Sequence, residues 1–137
     1  MTPIEKRLPD VTDRHQLFFI VSTFYDAVRQ DAELGPIFNE IITEWDEHLE
    51  KITDFWAMHL FGTKAYTGNP VLAHQLVDQQ QQESITPYHF GTWLFYWLQT
   101  INTHFEGPNA EILKDKSRKM QTILYMKIFE YRKKKKQ

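Results

Sequence analysis

The residues of greatest chemical interest in this sequence are one histidine and three polar aromatic side chains. His74 lies in a short apolar segment that follows the turn-rich stretch 66–70. Tyr25 and His48 occupy two separate helical patterns upstream, and Trp93 occupies a third pattern downstream. An imidazole can bind a metal through a ring nitrogen, whereas a phenol, an indole or a second imidazole can donate a hydrogen bond. No other combination of residues in the chain offers comparable chemistry.

This combination meets the needs of a buried haem iron with a polar ligand pocket. The iron takes a neutral imidazole as its fixed axial ligand, which His74 could provide. Tyr25, Trp93 and His48 could then donate hydrogen bonds to a diatomic ligand, each worth roughly 1.5–3 kcal/mol when the acceptor carries charge. Taken singly, the same residue types are more often ordinary core side chains with satisfied polar tips. Spacing alone leaves both interpretations open.

Other catalytic and metal-binding arrangements find little support in the sequence. The chain has no cysteine, which excludes disulfides, thiolate zinc sites, iron–sulfur clusters and covalent haem attachment. The spacings His-Glu-x-x-His and Glu-x-x-His do not occur, so zincin and ferritin-like di-iron signatures are missing. The five glycines are scattered and form no phosphate loop.

Length and composition predict one domain with a substantial core. The chain has 137 residues, of which 42% are apolar and 15% aromatic. An apolar run such as Leu17 to Val21 is too short to span a bilayer, and residues 1–10 lack the apolar core of a signal peptide. We therefore expect a cytoplasmic protein.

The charge distribution is uneven. Arg132 and the four lysines after it carry five positive charges, although the net charge of the whole chain is −2. The acidic remainder argues against a nucleic-acid-binding face. We interpret the basic tail, residues 132–137, as a solvated and frayed helix end, with contact to phosphate or anionic lipid as the alternative.

The apolar periodicity predicts an all-α domain of four substantial helices and one short helix. Residues 1–11 are expected to form an N-terminal extension. The predicted helices cover residues 12–30, 43–61, a short segment from 70 to 77, a segment from 87 that ends before Gly107-Pro108, and 109–131. Residues 36–38 are expected to form a short turn of helix, and residues 78–83 a loop or ragged helix.

Several helix ends carry recognisable capping residues. Thr12 is a candidate N-cap for the first helix, and Thr43 with Asp46 resembles a capping box for the second. Gly62 supplies a C-terminal stop. Asn69 followed by a proline, and Thr86 followed by another, are typical of helix starts.

At these residues the chain resembles the truncated haemoglobins, and most closely their third group. The order and spacing of the shared motifs are specific, they extend over residues 15–130, and the chain lacks the paired glycines of other groups. The matching stretches are Phe24-Tyr25-Asp26-Ala27-Val28-Arg29 with Asp31, Leu34-Gly35-Pro36-Ile37-Phe38, Trp45-Asp46-Glu47-His48 with Lys51-Ile52 and Phe55-Trp56, Tyr66-x-Gly68-x-Pro70 leading to His74, and Trp93-Leu94.

The resemblance implies a two-over-two helical sandwich around haem b. It implies that His74 is the proximal iron ligand and that Tyr25, His48 and Trp93 form the distal ligand pocket. The residues implied to line the pocket are Phe24, Ile52, Phe55 and Trp56, with Trp56 near a haem propionate. Lys51, Lys64 and His59 are candidates for binding the propionates.

Three functional hypotheses follow. The first is a haem protein that reversibly binds O2, NO, CO or another diatomic ligand and serves nitric oxide detoxification or oxygen chemistry rather than bulk transport. It would require a separate reductase, as yet unidentified. The second is a peroxidase-like enzyme in which His48 assists cleavage of the O–O bond. The third is a helical interaction module without a cofactor, in which the aromatic stripes serve packing alone.

Overall fold

The computed structural model describes residues 7–135, which form six α-helices and no strand. The all-α prediction is therefore confirmed. No helix within these residues is long and apolar enough to cross a membrane. Residues 1–6 of the predicted extension and residues 136–137 of the basic tail lie outside the described range. The helices are α1 (Arg14–Gln30), α2 (Leu34–Ile41), α3 (Trp45–Phe61), α4 (Pro70–Gln80), α5 (Pro87–His104) and α6 (Pro108–Lys135).

The four long helices form two packed pairs. Helix α1 packs on α3, and α5 packs on α6, while α1 also crosses α5 and α3 also contacts α6. This is the two-over-two arrangement expected from the sequence. The two short helices are attached to its edges, because α2 packs on α1 and α5 whereas α4 packs chiefly on α6.

The core lies between the two pairs. Helix α1 contributes the longest apolar stripe, and full burial of each such side chain is worth roughly 1.5–3 kcal/mol. Two large apolar residues of α6, Ile112 and Ile123, are exposed to solvent and do not belong to this core. The fully or nearly fully buried apolar residues include Leu17, Ile20, Val21, Phe24, Val28, Trp56, Trp97, Ile101, Leu113 and Ile128.

Local capping chemistry fixes several helix ends as predicted. The Asn69 side chain accepts a hydrogen bond from the Leu72 amide at 3.1 Å at the start of α4. Thr86 and His89 form a reciprocal capping box at the start of α5. Gly62 ends α3 in the left-handed region, at a φ of 73° that strains residues with a Cβ.

Two predicted N-caps are wrong. Asp13, not Thr12, caps α1, because its carboxylate accepts from the Gln16 amide at 2.8 Å and the Gln16 side chain accepts from the Asp13 amide. Helix α3 begins after Glu44 without a side-chain cap, so the expected box at Thr43 does not form. Thr12 and Asp13 are both suitable N-cap residues. Asp13 is the N-cap because Gln16, three positions after it, can complete the capping box.

The turn of helix predicted at 36–38 is longer than expected, because these residues belong to the eight-residue helix α2. Asp31 supports its start by accepting hydrogen bonds from the Glu33 and Leu34 amides, both at 2.9 Å. Gly35 allows α2 to lie close against α1, since a Cβ there would come within 2.5 Å of the Arg29 carbonyl oxygen. The pattern Gly35-Pro36 therefore marks a close helix contact and not the end of helical structure.

The short helix α4 extends further than predicted. It continues to Gln80, and only residues 81–86 connect it to α5. The continuation is stabilised by Asp78, which is 1% exposed and pairs with Arg132 of α6. Arg132 is therefore not part of a solvated, frayed end, and the tail is helical as far as Lys135.

The described part of the N-terminal segment packs on the start of α6. Val11 is completely buried, and the Asp10 carboxylate accepts hydrogen bonds from the Asn109 amide at 3.0 Å and the Ala110 amide at 2.9 Å. Asp10 thereby caps a helix that begins almost a hundred residues later.

Candidate functional site

One cavity between the helices is lined by nearly all of the predicted site residues. Its volume is about 500 Å³, within the range typical of cofactor and ligand sites. All six helices contribute to its mostly apolar wall. The predicted residues on the wall are Tyr25, His48, Ile52, Phe55, Trp56, His74 and Trp93.

Phe24 lies behind this wall and not on it. It is 1% exposed, and its ring makes edge contacts with Tyr25 at 4.9 Å, Trp93 at 5.5 Å and Trp97 at 5.1 Å between ring centroids. Its side chain therefore supports two residues of the cavity wall from the protein core.

His74 projects from the second turn of α4 and is held in one orientation. Its Nδ1 donates a hydrogen bond to the Pro70 carbonyl at 2.6 Å. The proton on Nδ1 leaves the lone pair on Nε2, which is the nitrogen that a metal would bind. Burial lowers the pKa of His74, and the Pro70 bond opposes this only in part. The imidazole is therefore neutral at pH 7, as a metal ligand must be.

Tyr25 and His48 form a hydrogen-bonded pair at the same cavity. The His48 Nε2 lies 3.2 Å from the Tyr25 hydroxyl oxygen. Burial raises the pKa of Tyr25, so its phenol keeps its proton. Burial also lowers the pKa of His48 to about 4, and the positive charge of Lys51 acts in the same direction. Both partners are neutral at pH 7.

The tautomer of His48 decides which partner has a free donor. If Nε2 carries the proton, His48 donates to Tyr25, and the phenol proton is free to point into the cavity. If Nδ1 carries it, Tyr25 must donate to Nε2 and offers the cavity only an oxygen lone pair. A ligand that accepts a hydrogen bond from Tyr25 would therefore select the first arrangement.

Three tryptophans stack beside the cavity. Trp93 is parallel to Trp97, with centroids 6.1 Å apart, and Trp97 stacks on Trp56 at 5.1 Å. Trp97 is completely buried, and its Nε1 is without a hydrogen-bond partner among the described residues. It fixes the rings of two wall residues by packing. The stacking of Trp93 on Trp97 could have been predicted from their four-residue spacing, which places both residues on one helix face.

Trp45 is a second supporting residue that sequence reasoning did not assign to the site. Its ring contacts Tyr25 at 5.3 Å and His48 at 5.7 Å, and the Arg29 guanidinium lies 4.2 Å above it. The cation–π contact and the ring contacts together restrict the two polar residues of the pair.

Comparison with known proteins agrees with this fold. The chain is similar to the group 3 truncated hemoglobin ctb of Campylobacter jejuni, with 29% identity over 116 residues, 82% of this chain and 87% of the relative. It is also similar to the crystal structure of the group III truncated hemoglobin from Campylobacter jejuni. That match has a TM-score of 0.78 and 25% identity and covers 88% of this chain and 94% of the other.

The chain has the fold of a group III truncated haemoglobin. The resemblance predicted from the sequence is thereby confirmed. No model of a protein family matches the chain.

The cavity of this truncated-haemoglobin fold suits a large planar cofactor better than a bare ion. Within residues 7–135, no group of three His, Asp or Glu side chains is placed to hold a metal ion. His74 presents a neutral imidazole to the wall of an apolar cavity with its Nε2 lone pair available, and such an imidazole is the axial ligand that haem iron takes in globins. The residues present therefore fit haem.

The three candidates for binding the propionates differ in position. Lys51 is exposed on α3 and lies at the cavity wall. His59 is half-buried against the Phe55 ring at 4.6 Å, and its carbonyl accepts a hydrogen bond from Lys116 at 2.6 Å. Lys64 is exposed in the segment after α3 and is not a wall residue. Position therefore favours Lys51.

Proposed function

We propose that this protein binds haem b through His74 and reversibly binds O2 or another diatomic ligand. The observation that carries the proposal is the hydrogen bond from His74 Nδ1 to Pro70, which leaves Nε2 as a neutral ligand at a cavity of about 500 Å³. Haem b, when bound there, would supply an iron with an open position for O2, NO or CO.

Tyr25, His48 and Trp93 would act as the distal pocket. Tyr25 keeps its proton because burial raises its pKa, and the Trp93 indole can only donate. With its proton on Nε2, His48 would donate to the phenol oxygen and leave the Tyr25 hydroxyl proton free to point toward a ligand. Each donor to a ligand oxygen that gains negative charge would contribute roughly 1.5–3 kcal/mol. Two such donors would give tight and slowly released oxygen.

The apolar walls would strengthen these polar contacts. Ile52, Phe55 and Trp56 line the cavity, and Phe24 supports the wall from behind. Side chains of this kind exclude water, and hydrogen bonds to charge are stronger in the resulting low-dielectric site. We therefore propose that Ile52, Phe55, Trp56 and Trp93 contact the haem and that His74 binds its iron.

Nitric oxide detoxification is the physiological role that we propose, in preference to bulk oxygen transport. When bound, haem would supply the one electron that the conversion of NO and O2 into nitrate requires. A separate reductase would return that electron. Donors that slow O2 release favour such chemistry over transport, which requires ready release. We assign the reaction to the cytoplasm.

A peroxidase-like activity is the second candidate, because His48 is positioned as a base. Its pKa of about 4 leaves it neutral at pH 7 and able to accept a proton from hydrogen peroxide at the cavity. A steady-state assay of hydrogen peroxide consumption with a reducing substrate distinguishes the peroxidase from the ligand-binding protein. Substantial turnover that His48→Leu abolishes would favour the peroxidase, and its absence would favour the ligand binder.

The test of haem binding is a titration of the purified protein with haem b, followed by absorption. We expect stoichiometric uptake and a sharp Soret band that shifts on reduction and again with carbon monoxide. His74→Ala should lose this uptake, whereas the matched control His15→Ala, at an exposed histidine of α1, should keep it. A free-haem spectrum from the unaltered protein would contradict the proposal and favour the cofactor-free helical module.

A further inference from the structure

Helix α4, which carries His74, is held to the rest of the protein mainly by polar contacts. Leu72 and Leu76 are 46% and 48% exposed, so this helix does not bury its largest apolar side chains. It has only 11 residues, and isolated helices of this length are marginal in water. Its position must therefore come from specific contacts, chiefly with α6, its main packing partner.

The strongest of these contacts is a buried ion pair at the end of α4. Arg132 of α6 donates from Nε to one Asp78 oxygen at 2.8 Å and from Nη2 to the other at 2.7 Å. The same Nη2 also donates to the Ile85 carbonyl at 2.6 Å, and the Ile85 amide donates to Asp78 at 3.2 Å. Asp78 is 1% exposed, and the Arg132 side chain is 18% exposed. A bidentate pair of this kind fixes orientation as well as distance.

Two further contacts continue along the same pair of helices. The Gln75 side chain donates to the Lys127 carbonyl at 3.0 Å, and the Lys135 ammonium donates to the Gln79 side chain. Both partners on α4 are exposed or half-buried, so these bonds are weaker than the buried pair. They show that α4 is aligned along the last three turns of α6.

Asp78 and His74 are one helical turn apart and lie on the same face of α4. Pro70, one turn before His74, accepts the hydrogen bond that orients the imidazole. Successive turns of this face thus hold the orienting carbonyl, the imidazole and the buried anchor. A shift of the Asp78 end would move His74 with it, because the helix backbone between them is continuous.

We propose that Arg132 is a positioning residue for the imidazole of His74 and acts through Asp78. This inference rests on the proposed function, since it assumes that His74 binds haem iron. Residues that orient a metal ligand from outside the coordination sphere typically change affinity 10–100-fold when altered. Removal of Arg132 would also leave a carboxylate buried without its partner, which loosens the end of α4.

The experiment compares variants of the haem-loaded protein by two measurements. The first is the rate of haem transfer to excess apomyoglobin, and the second is the iron–histidine stretching band in the resonance Raman spectrum of the reduced protein. Arg132→Met should transfer haem about tenfold faster and should shift or broaden the band. Arg132→Lys, which keeps the charge but loses the bidentate geometry, should lie between this variant and the original protein.

Two controls separate positioning from stability. Arg118→Met removes an exposed cation of α6 that pairs with Asp115, and we expect an unchanged band and a transfer rate within twofold. Asp10→Ala removes the cap at the start of α6, whereas Arg132 and its contact with α4 lie near the end of this helix. This variant should therefore lower the melting temperature and leave the iron–histidine band unchanged. If Arg132→Met does not fold, Arg132→Lys decides by the same two measurements.

Two results would overturn the proposed positioning role of Arg132. A band in Arg132→Met or Arg132→Lys identical to the original, with haem transfer within twofold, would overturn it. A second result would also overturn it. In this result, haem transfer accelerates in proportion to the fall in melting temperature, to the same extent in the Arg132 and Asp10 variants, and the iron–histidine band does not change. An iron–histidine band missing from the unaltered protein would instead refute the proposed role of His74.

Discussion

The Nε2 of His48 lies 3.2 Å from the hydroxyl oxygen of Tyr25, and the two side chains come from different long helices. This distance ties the direction of the phenol proton to the tautomer of the imidazole. One pair of residues can therefore present either a donor or an acceptor to the cavity. The polarity of the site is adjustable in a way that a fixed donor would not allow.

Tyr25→Phe tests the phenol as a ligand donor. The ring packing is kept and one hydroxyl is lost, so we expect O2 to dissociate roughly ten- to a hundredfold faster, in line with 1.5–3 kcal/mol for a bond to a charged acceptor. Stopped-flow displacement of O2 by carbon monoxide measures this rate. An unchanged rate of O2 dissociation would show that Tyr25 does not donate a hydrogen bond to the ligand.

The pairing of His48 with Tyr25 predicts non-additive effects of their replacement. His48→Leu should also speed O2 release, because the phenol loses the partner that orients it. The double variant with Tyr25→Phe should be no faster than Tyr25→Phe alone, since His48 acts through the phenol. Fully additive changes in the same stopped-flow assay would mean that His48 contacts the ligand independently.

Trp93→Phe tests the second donor on the cavity wall. It removes the indole N–H and leaves an aromatic ring in the stack, so we expect O2 release about tenfold faster, the loss of one charge-assisted bond. Trp97→Phe is the matched control, because Trp97 is part of the same stack but not of the cavity wall. Equal acceleration in both variants would assign the effect to packing.

The stability of the haem-free protein should fall in mild acid because of His48. Its pKa drops from an ordinary value of 6.5 to about 4 in the folded protein, chiefly through burial. Between these values the unfolded chain binds a proton that the folded protein does not, so stability is complete above pH 6.5 and declines as the pH falls toward 4.

Urea denaturation between pH 7 and pH 4.5 measures this decline. His48→Gln should flatten it in part, since His59 and His74 also have lowered pKa values through burial. His15→Gln alters an exposed histidine of α1 and serves as the control. A slope that is unaffected by His48→Gln would show that this imidazole is not shielded as the structure indicates.

Gly35 and Gly91 should respond in opposite ways to replacement by alanine. A Cβ at Gly35 would meet the Arg29 carbonyl oxygen at 2.5 Å, whereas a Cβ at Gly91 would meet nothing within 4 Å. We expect Gly35→Ala to cost roughly 1–3 kcal/mol through overpacking, and Gly91→Ala to stabilise α5 by about 0.5–1 kcal/mol. Thermal unfolding of the two variants provides the comparison, and a neutral Gly35→Ala would contradict the close approach of α1 and α2.

Local sequence signals were sufficient for most of the fold. The apolar stripe of α1 and the paired cap and proline at Asn69 and Thr86 depend on residues within one or two turns of each other. The extent of α4 could not be read in this way, because it depends on Asp78 meeting a residue 54 positions away. A polar, glutamine-rich stretch resembles a loop until its buried partner is known.

The sequence predicts several residues that line the candidate cavity, but not how these residues contact one another. Tyr25, His48, Trp93 and His74 were selected by residue type and by resemblance, and all four line one cavity. Their hydrogen bonds depend on side-chain orientation, which periodicity does not specify. The supporting roles of Trp45 and Trp97 also required the structure, since their contacts join residues from different helices.

The most direct test of the account replaces the His74 side chain and then returns the imidazole in solution. His74→Gly should lose stoichiometric haem b and the reduced-state Soret band, and added imidazole should restore both, because the free molecule can occupy the place of the missing ring. Retention of the unaltered spectrum by His74→Gly, with no response to imidazole, would show that another residue binds the iron or that haem is not the cofactor.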